Sequence, residues 1–417
     1  MRNLALIVAL LFLNTALLFL PHTNQSLVIN DFTPNVLPPK TSEFRMVSIR
    51  LSPSNLKTLQ LSSHHARIEG YLDQEAKEHA NGDFCYDNEC FGSDFSLRGD
   101  LDTHWSEAAK SLRVKLDKKQ SWRGMRRFDL IKAQDRYYEI EPLALNLAKI
   151  LGLSSAKVEF VHLEINQRYQ GLYLLKESPN ALTWDRDGDS WSASYRARNI
   201  WLAKVIFGGD ASAIKYGFRE NQHVFNPIRL KPNIYIESSG NDDPKLYHRF
   251  SQFLNVLEGN NQYQINDYLN LETWASWQVC AMVFGSVHPT LDDNLSILYD
   301  SATGKFAPLL NDVLLRALPA SANESLVLFS TAFSPFKIFE QKEDYILARN
   351  RAIEKLIKSD ILKRFDQIVS SLKIELIQTL SQQDYQERLN AWEYKRKVIK
   401  NNLDVLVQIS LMTMSRG

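Results

Sequence analysis

Residues 288–312 read "HPTLDDNLSILYDSATGKFAPLLND", and this stretch decides how the second half of the chain is interpreted. Two runs of alternating apolar and polar residues flank a central "DSATGK" segment. Alternation interrupted by a Gly-containing turn is typical of a β-hairpin. A symmetric pairing places Tyr299 opposite Phe306 and Asp293 opposite Asp312, so the mouth of the predicted hairpin is acidic.

The mouth of this hairpin combines carboxylates with an amide: Asp292, Asp293 and Asn294 precede the first strand, and Asp312 follows the second. Like charges directly opposite each other in an antiparallel pair are destabilising. A bound cation offsets that repulsion, and carboxylate and amide oxygens are ligands that suit Mg²⁺ or Mn²⁺. The sequence therefore predicts a divalent-metal site here. The alternative is an ordinary solvated hairpin end.

Composition sets the broad class of the protein. The chain has 417 residues, 44% of them hydrophobic and 23% charged, as in a globular protein that buries a full core. Its formal net charge is +1, and no basic run in it resembles a nucleic-acid-binding arm. Nucleic-acid binding requires a basic patch or stripe, so we expect no nucleic-acid partner.

The N-terminus carries an apolar run from Leu4 to Leu20, interrupted by Asn14. The run is at the short limit for a bilayer-spanning helix and long for a signal-peptide core, so it is either an uncleaved membrane anchor or a cleaved secretion signal. Positive charge precedes the run, and no Lys or Arg follows until Lys40. We therefore expect the protein in the cell envelope, anchored in the inner membrane with an extracytoplasmic domain, or secreted.

Cysteine spacing agrees with export. Cys85 and Cys90, in "FCYDNECF", are close enough to form a disulfide in an oxidising compartment. The alternative is half of a metal site, but no second Cys/His pair completes one. Cys280 lies in the apolar run "VCAMVF" and is expected to be a buried free thiol.

Periodicity predicts one large domain after an N-terminal extension. We divide the chain into a membrane or signal segment at 1–22, a Pro- and Asn-rich linker at 23–44 and a domain at 45–417, with C-terminal helices at 337–412. The other predicted elements are strands in "RMVSIRLS", "DFSLRGDL" and "KSLRVKLD", a hairpin of "KVEFVHLEIN" and "QGLYLLKES", and a helix, "EIEPLALNLAKILGL", ending at Gly152. They predict a mixed α+β fold with a strand-rich N-terminal half and a helical C-terminal half around a cleft.

Five segments occur in a distinctive order: "SLRGD", "KSLRVKLDKK", "LALNLAKILGL", "VEFVHLEINQRYQGLYLLKES" and "DDNLSILYDSATGKFAPLLND". In this order they resemble the spore-coat-protein kinase family (CotH kinases) over about residues 95–315. That family runs from an Arg-Gly strand and a Lys-rich strand to a final "Y-x-D…G-K-F…P…W-D-x-D". The resemblance implies an atypical protein-kinase-like two-lobe fold and the use of ATP with Mg²⁺ or Mn²⁺.

The resemblance also implies roles for three residues of the strand-rich half. Lys115 would contact the nucleotide phosphates as a point charge, and Arg113 would support it. Glu177, at the end of "GLYLLKE", would orient the lysine or lie near the adenine. The alternative from the residues alone is that Lys115 is a solvated strand lysine beside Asp117 and that Glu177 is an ordinary strand-end glutamate.

At the hairpin, the resemblance implies a base and two metal ligands. Asp292 or Asp293 would orient or deprotonate the acceptor hydroxyl, while Asn294 and Asp312 would hold the metal. His288 would order this loop.

The implied function is that of an exported, membrane-tethered kinase-like phosphotransferase acting on a protein Ser/Thr or a cell-surface polymer. The sequence departs from the family at 311–314, where "NDVL" replaces Trp-Asp-x-Asp and the aromatic residue and second acid are missing. A non-catalytic, pseudokinase-like envelope or matrix-binding protein is therefore the alternative. A glycosidase-like hydrolase ranks last, because adjacent Asp292 and Asp293 would diverge rather than flank one bond.

Overall fold

The structure of the protein is a computed structural model. Besides Phe32 and Pro34, it describes residues 38–70, 72, 77–99, 102–118, 120–136, 138–178, 193–195, 234–236, 244–257, 259, 264–288, 296–300, 303–333 and 335–414.

Strands dominate the first half of the described chain and helices the second. The strands are β1 Arg45–Leu51, β2 Ala80–Tyr86, β3 Glu89–Leu97, β4 Leu112–Leu116, β5 Arg127–Lys132, β6 Val158–Ile165, β7 Arg168–Glu177, β8 Ala193–Tyr195, β9 Ile234–Ile236, β10 Ser296–Asp300 and β11 Lys305–Leu309. The helices are α1 Pro53–Glu69, α2 Ile140–Ile150, α3 Pro244–Leu257, α4 Ile265–Tyr268, α5 Leu271–Val283, α6 Ala322–Ala332, α7 Phe336–Phe339, α8 Glu343–Lys358, α9 Ile361–Thr379 and α10 Gln382–Met414. The predicted mixed α+β class, strand-rich and then helical, is confirmed.

Strands β1 to β7 form a closed barrel in the order β1-β2-β3-β4-β5-β7-β6. Neighbouring strands are antiparallel except β1 and β6, whose parallel pairing closes the barrel. The predicted hairpin of β6 and β7 is confirmed. The closure was not predicted, since it joins strands far apart in the sequence.

The β6–β7 turn is hydrogen-bonded to the end of β1, where the barrel closes. Asn166 and Gln167 have φ angles of 49° and 65°, as a two-residue type I′ turn requires. The Asn166 side chain accepts a hydrogen bond from the Leu51 N–H at 2.8 Å and donates one to the Leu51 carbonyl at 3.0 Å. One turn residue thus satisfies both backbone groups at the end of β1.

The cysteine predictions are confirmed. Cys85 and Cys90 are directly paired across the β2–β3 hairpin and form a disulfide. Cys280 is a buried free thiol, and burial raises its pKa above the ordinary value.

Helix α2 ends at the predicted glycine. Gly152 has a φ of 78°, which a residue without a Cβ adopts at little cost. Its N–H bonds to the Lys149 carbonyl, and the Leu153 N–H bonds to the Ala148 carbonyl, which is the Schellman arrangement.

The first turn of α2 is held by the C-terminal helix. The buried carboxylate of Glu139 accepts hydrogen bonds from Trp392 Nε1 at 2.9 Å and from Lys395 Nζ at 2.7 Å. Burial lowers the pKa of Lys395, and the nearby Glu139 carboxylate opposes this shift. The contact fixes the turn that carries Glu141 against α10.

Two groups of buried apolar side chains form separate cores. One fills the barrel with inward-facing residues such as Val47, Phe84 and Leu130. The other joins α2 to the helical half, and Phe160 and Leu172 from the outer face of β6 and β7 pack against it. The outer face of the barrel therefore lies on the helical half.

The β10–β11 hairpin has the predicted register, with Tyr299 opposite Phe306. The buried Phe306 ring stacks on Phe253 with centroids 4.3 Å apart. The Phe306 carbonyl also accepts a hydrogen bond from Trp274 Nε1 at 3.0 Å. The hairpin thus belongs to the helical half, and this packing determines where the chain after β11 begins.

Among the described residues, no helix combines the length and the apolar character needed to cross a bilayer. The apolar run from Leu4 to Leu20 lies outside the described residues.

The Asn166 hydrogen bonds, where β1 meets β6, give the first prediction. We expect Asn166→Ala to lower the free energy of unfolding by about 2–3 kcal/mol. The substitution removes two hydrogen bonds, and Ala tolerates the left-handed backbone conformation of this position less well than Asn does. Asn166→Gly removes the same hydrogen bonds, but glycine adopts the left-handed conformation without strain. Its loss in free energy of unfolding should therefore be about 1 kcal/mol smaller than that of Asn166→Ala. Urea unfolding measures both values; equal losses would contradict the backbone part of the explanation.

Candidate functional site at the barrel–helix junction

A row of polar side chains crosses the outer face of the barrel. The strand register pairs Ser96 with Arg113, Arg113 with Asp129, and Asp129 with Lys176, across β3, β4, β5 and β7. Directly paired residues point to the same face of a sheet. The alternating neighbours, such as Val114, fill the barrel interior, so the polar row lies on the outside.

Two arginines converge on one carboxylate in this row. Arg98 Nε lies 2.7 Å from Asp129 Oδ2, and Arg113 contacts Asp129 Oδ1 through Nε at 2.8 Å and Oδ2 through Nη2 at 3.2 Å. Burial alone would raise the pKa of Asp129, but the guanidiniums of Arg113 and Arg98 outweigh it and hold the pKa far below the ordinary value. The group is therefore a tight, fully ionised Arg–Asp–Arg bridge.

The position of Arg98 is set by the turn that follows β3. The Arg98 N–H donates to the Ser111 carbonyl at 2.9 Å, which extends the β3–β4 pairing beyond the strand. Gly99 then adopts a φ of 87°, and a Cβ there would lie 2.1 Å from His104 Cδ2. Only glycine fits this close approach, so the Arg-Gly pair of the sequence has a direct structural reason.

Lys176, at the end of the row, connects the barrel to the helical half. Its side chain is 3% exposed, and Nζ lies 2.5 Å from Oε1 of the fully buried Glu141 on α2. The same ammonium donates to Asn311 Oδ1 and lies 3.7 Å from Asp312 Oδ1. One lysine on β7 therefore touches both α2 and the segment that follows β11.

Asp312 has an unusual backbone conformation, with a φ of 51°. Left-handed residues other than glycine are uncommon and concentrate at functional sites, where they cost about 1–3 kcal/mol. Buried Leu310 and Val313 flank the segment on either side. The backbone is thus held in a shape that sends the carboxylate toward Lys176.

The formal charges of this cluster balance one another. Two guanidiniums share the carboxylate of Asp129, and the ammonium of Lys176 faces the carboxylates of Glu141 and Asp312. Burial alone would lower the pKa of Arg98, but the carboxylates of Asp129, Asp312 and Glu141 favour its charged form and raise the pKa. Three cations and three carboxylates therefore form one connected network.

A divalent ion at Asp312 would need ligands from outside this cluster. Mg²⁺ keeps several waters and is commonly held by one or two carboxylates together with substrate phosphates. The Asp312 side chain is 13% exposed, and Glu141 Oε2 is buried without a hydrogen bond from any described residue. No group of three His, Cys, Asp or Glu in the described ranges is arranged to hold a metal by itself, so substrate oxygens and water would complete the coordination.

Of the three residues predicted to serve the nucleotide, Arg113 belongs to the charge cluster, whereas Lys115 and Glu177 lie in different surroundings. Lys115 is exposed on β4, opposite Asp94 and Arg127, on the same outer face as Arg113 but one row further along. Glu177 is buried, and its Oε2 accepts a hydrogen bond from the Lys157 N–H at 3.0 Å. The row connects Arg113 through Asp129 to Lys176, the residue that lies beside Asp312.

The predicted base and the second predicted metal ligand, Asp292, Asp293 and Asn294, lie outside the described residues. His288 is the last described residue before that gap. Their roles remain predictions, as do those of Lys115, Glu177 and Asp312.

Sequence reasoning missed Lys176, Glu141, Arg98 and Asp129. A signal for Lys176 was present, because Tyr173 and Leu175 alternate into the barrel and the residue between Leu175 and Glu177 must then point outward. For Glu141, the signal was a single acid among apolar residues in the first turn of the helix. Which strand faces the hairpin depends on the strand order, and no local pattern encodes that order.

Two cavities formed by the described residues lie elsewhere in the protein. One cavity of about 440 Å³ lies between α6, α7, α8 and the end of α10. Another, of about 420 Å³, lies beside the β2–β3 turn, around Tyr86 and Arg123. The cluster is recognised by its charges and contacts instead.

The sequence model of the CotH kinase protein family matches residues 95–393. The match covers most of the chain, and the protein belongs to the CotH kinase family. The expected resemblance is confirmed, and the match extends past residue 315 into the C-terminal helices. Membership of a kinase family implies, in general, the use of a nucleotide and a divalent metal.

Other comparisons add little. A comparison with curated proteins found no significant match. A solved HipA–HipB–operator DNA complex of the Shewanella oneidensis MR-1 toxin–antitoxin system aligns with 80% of this chain and 65% of that chain, at 11% identity and a TM-score of 0.33. That similarity is too low to support an argument about fold or activity.

The Lys176 contacts predict strong coupling. We expect Lys176→Met to lower the free energy of unfolding by about 3–5 kcal/mol, because it leaves buried Glu141 without its cation. Adding Glu141→Gln should recover part of this loss, giving a coupling of roughly 1–3 kcal/mol in a double-mutant cycle. Urea unfolding of the four proteins measures the coupling; strictly additive losses would contradict a direct ion pair.

The Arg–Asp–Arg bridge predicts an acid-dependent loss of stability. The folded pKa of Asp129 is depressed, so its contribution is complete above the unfolded pKa of about 3.9 and is lost as the pH falls toward the folded pKa. We expect Asp129→Asn to flatten the decline of stability below about pH 4.5. Asp366→Asn, in an exposed Arg–Asp pair, is the matched control; an equal effect in both variants would refute the assignment.

Proposed function

We propose that the protein is an extracytoplasmic, membrane-tethered phosphotransferase that uses ATP and Mg²⁺ or Mn²⁺ to phosphorylate a protein Ser/Thr or a cell-surface polymer. Its barrel and helical halves would act as the two lobes of an atypical protein-kinase-like fold. The observation that carries the proposal is the meeting of Asp312 with Lys176, Glu141 and Arg98 at the junction of the two halves.

Asp312 is the proposed metal ligand, together with Asn294. A divalent ion held there would neutralise charge on the transferring phosphoryl group. Lys176 is placed to orient this region, because it holds Asn311 directly and links the segment to Glu141. Asp292 or Asp293 remains the proposed base for the acceptor hydroxyl.

Lys115 is available for the phosphates. Its side chain is exposed on the same face as the charge cluster, and no described residue forms an ion pair with it. It therefore suits the role of a mobile point charge, whereas the guanidiniums of Arg98 and Arg113 are already fixed.

Export is supported by the Cys85–Cys90 disulfide, since such bonds persist mainly in oxidising compartments. Together with the apolar run after Arg2, this supports an inner-membrane anchor or a secretion signal with the domain outside the cytoplasm. Neither feature identifies the acceptor.

A non-catalytic relative that binds a partner is the second candidate. The observation that favours it is that Lys176 already lies 3.7 Å from Asp312, while Asn311 and Leu314 stand where the family has an aromatic residue and a second acid. Such a protein would keep the fold without forming ADP from ATP.

Nucleotide-dependent stabilisation tests the proposal. We expect ATP with Mn²⁺ to raise the Tm of the full-length protein, by an amount equivalent to about 2.7 kcal/mol at one hundred times Kd. EDTA should abolish the shift. Asp312→Asn, which keeps the tolerance for positive φ but removes the charge, should abolish it as well.

Asp366→Ala, on α9 in an exposed pair with Arg396, is the control and should keep the full shift. A wild-type protein with no shift at any ATP and Mn²⁺ concentration would refute the phosphotransferase. A shift without ADP formation would favour the binding-only relative.

A further inference from the structure

The linker that precedes β1 is hydrogen-bonded to α9. The backbone N–H groups of Lys40 and Thr41 donate to Gln378 Oε1 at 3.1 and 3.3 Å. Gln378 Nε2 in turn donates to the Thr41 carbonyl at 2.9 Å. One side chain near the end of α9 therefore holds two consecutive residues of the linker.

A buried histidine adds a second point of attachment. The Ser42 hydroxyl donates to Glu375 Oε2 at 2.6 Å and lies 2.8 Å from His162 Nε2. On its other side, His162 Nδ1 lies 2.7 Å from the Tyr169 hydroxyl. Because His162 belongs to β6 and Glu375 to α9, Ser42 is held where the barrel meets this helix, and the linker reaches α9 at a fixed position.

The linker is also held further upstream, at Phe32. Its side chain is buried in the barrel core, its N–H donates to the Ala108 carbonyl at 2.9 Å, and its carbonyl accepts a hydrogen bond from Gln170 Nε2 at 3.0 Å. Gln170 follows Tyr169 on β7, and Tyr169 contacts His162. The attachments at Phe32 and at α9 therefore lie on the same side of the domain.

The attachment at Phe32 limits how far this side can lie from the predicted membrane anchor, whose apolar run ends at Leu20. Even a fully extended chain from Leu20 to Phe32 spans at most about 43 Å. A compact domain of residues 45–417 has a diameter of roughly 55 Å. With the apolar run in a bilayer, the side that holds the linker cannot be the one farthest from the lipid.

The surface of α9 beside these contacts is apolar. Ile374 and Ile377 are 59% and 61% exposed, and residues three positions apart lie on one face of a helix. Gln378, which holds the linker, also donates to the Ile374 carbonyl at 3.0 Å. The two isoleucines thus form one apolar patch directly beside the linker.

Long charged side chains border this patch. Lys373 lies one turn before Ile377 on α9, and Lys40 is hydrogen-bonded to Gln378. Both lysines are exposed, as is Glu43 in the linker. At a membrane surface, lysine side chains reach the polar headgroups while apolar side chains enter the boundary of the acyl chains. The patch has the composition of such an interfacial contact.

We propose that the face of α9 around Ile374 and Ile377 lies on the surface of the lipid bilayer into which the N-terminal apolar run inserts, and that the Gln378 and Ser42 contacts set this orientation. The inference rests on the membrane tethering in the proposed function and specifies which surface of the domain faces the lipid. Because the tether raises the local concentration of lipid at this face, a small apolar contact is sufficient.

Quenching of a fluorophore by labelled lipid tests the contact. The full-length protein carries a nitrobenzoxadiazole label on Ile374→Cys or Ile377→Cys and is reconstituted in vesicles of phosphatidylethanolamine and phosphatidylglycerol. We expect lipids with a nitroxide in the upper part of the acyl chain to quench both labels, because interfacial side chains reach this depth.

An exposed isoleucine on another helix provides the matched control. Ile68, near the end of α1, is 69% exposed, and α1 packs against β1, β2 and β3. A label on Ile68→Cys should keep its fluorescence in the same vesicles. The native cysteines do not compete for the label, since Cys85 and Cys90 form a disulfide and Cys280 is buried.

The role of the linker contacts is tested by Gln378→Ala, which removes the hydrogen bonds to Lys40 and Thr41. We expect less quenching of the Ile377→Cys label in this variant, because the domain no longer keeps one orientation, while flotation with the vesicles stays unchanged. Gln367→Ala, which replaces an exposed glutamine of the same helix, should leave the quenching unaltered. Equal quenching in both variants would overturn the role of the linker.

The outcomes separate this inference from the proposed function. If the protein floats with the vesicles and neither α9 label is quenched, the contact is refuted and membrane tethering stands. If the protein stays in the aqueous fraction, tethering fails and the inference fails with it. Labels that shift to shorter emission wavelengths without lipid quenching would show that a second copy of the protein covers this face, which also refutes the lipid contact.

Discussion

The placement of the barrel on the helical half depends on the contacts of the buried Lys176 ammonium with Glu141 and Asn311. The barrel and the helical half have separate apolar cores, and apolar contact alone would allow several ways of placing one on the other. A buried charge restricts that choice, because it needs partners at defined distances. Glu141 from α2 and Asn311 from the segment after the hairpin supply them, so an electrostatic requirement fixes the two halves in register.

Local signals account for the elements that the sequence predicted correctly. The β10–β11 register follows from alternation about one turn, the end of α2 follows from Gly152, and the disulfide follows from two cysteines flanking a tight turn. Closure of the barrel has no comparable signal. The parallel pairing of β1 with β6 joins residues such as Val47 and Leu163, and which distant strands meet depends on the packing of the whole sheet.

In the candidate site, too, local features could be predicted from the sequence and long-range contacts could not. Acidic residues at the hairpin mouth were visible in the sequence, because a repulsive pattern in a short hairpin needs a reason. The cation that meets Asp312 was not visible. Lys115 and Lys176 both occupy outward positions on strands, and the structure places Lys176, on β7, beside Asp312. Neither propensity nor alternation encodes the order of strands, so the residue type was predictable while its position was not.

Two local costs coincide at this junction. Asp312 adopts a left-handed backbone, and Glu141 Oε2 is buried without a hydrogen bond from the described residues. Each feature costs on the order of 1–3 kcal/mol, and apolar side chains of similar volume would avoid the buried charges altogether. A fold with two well-packed cores does not need such a junction for stability. The combination is expected at a functional site, where strain is retained because it positions chemically active groups.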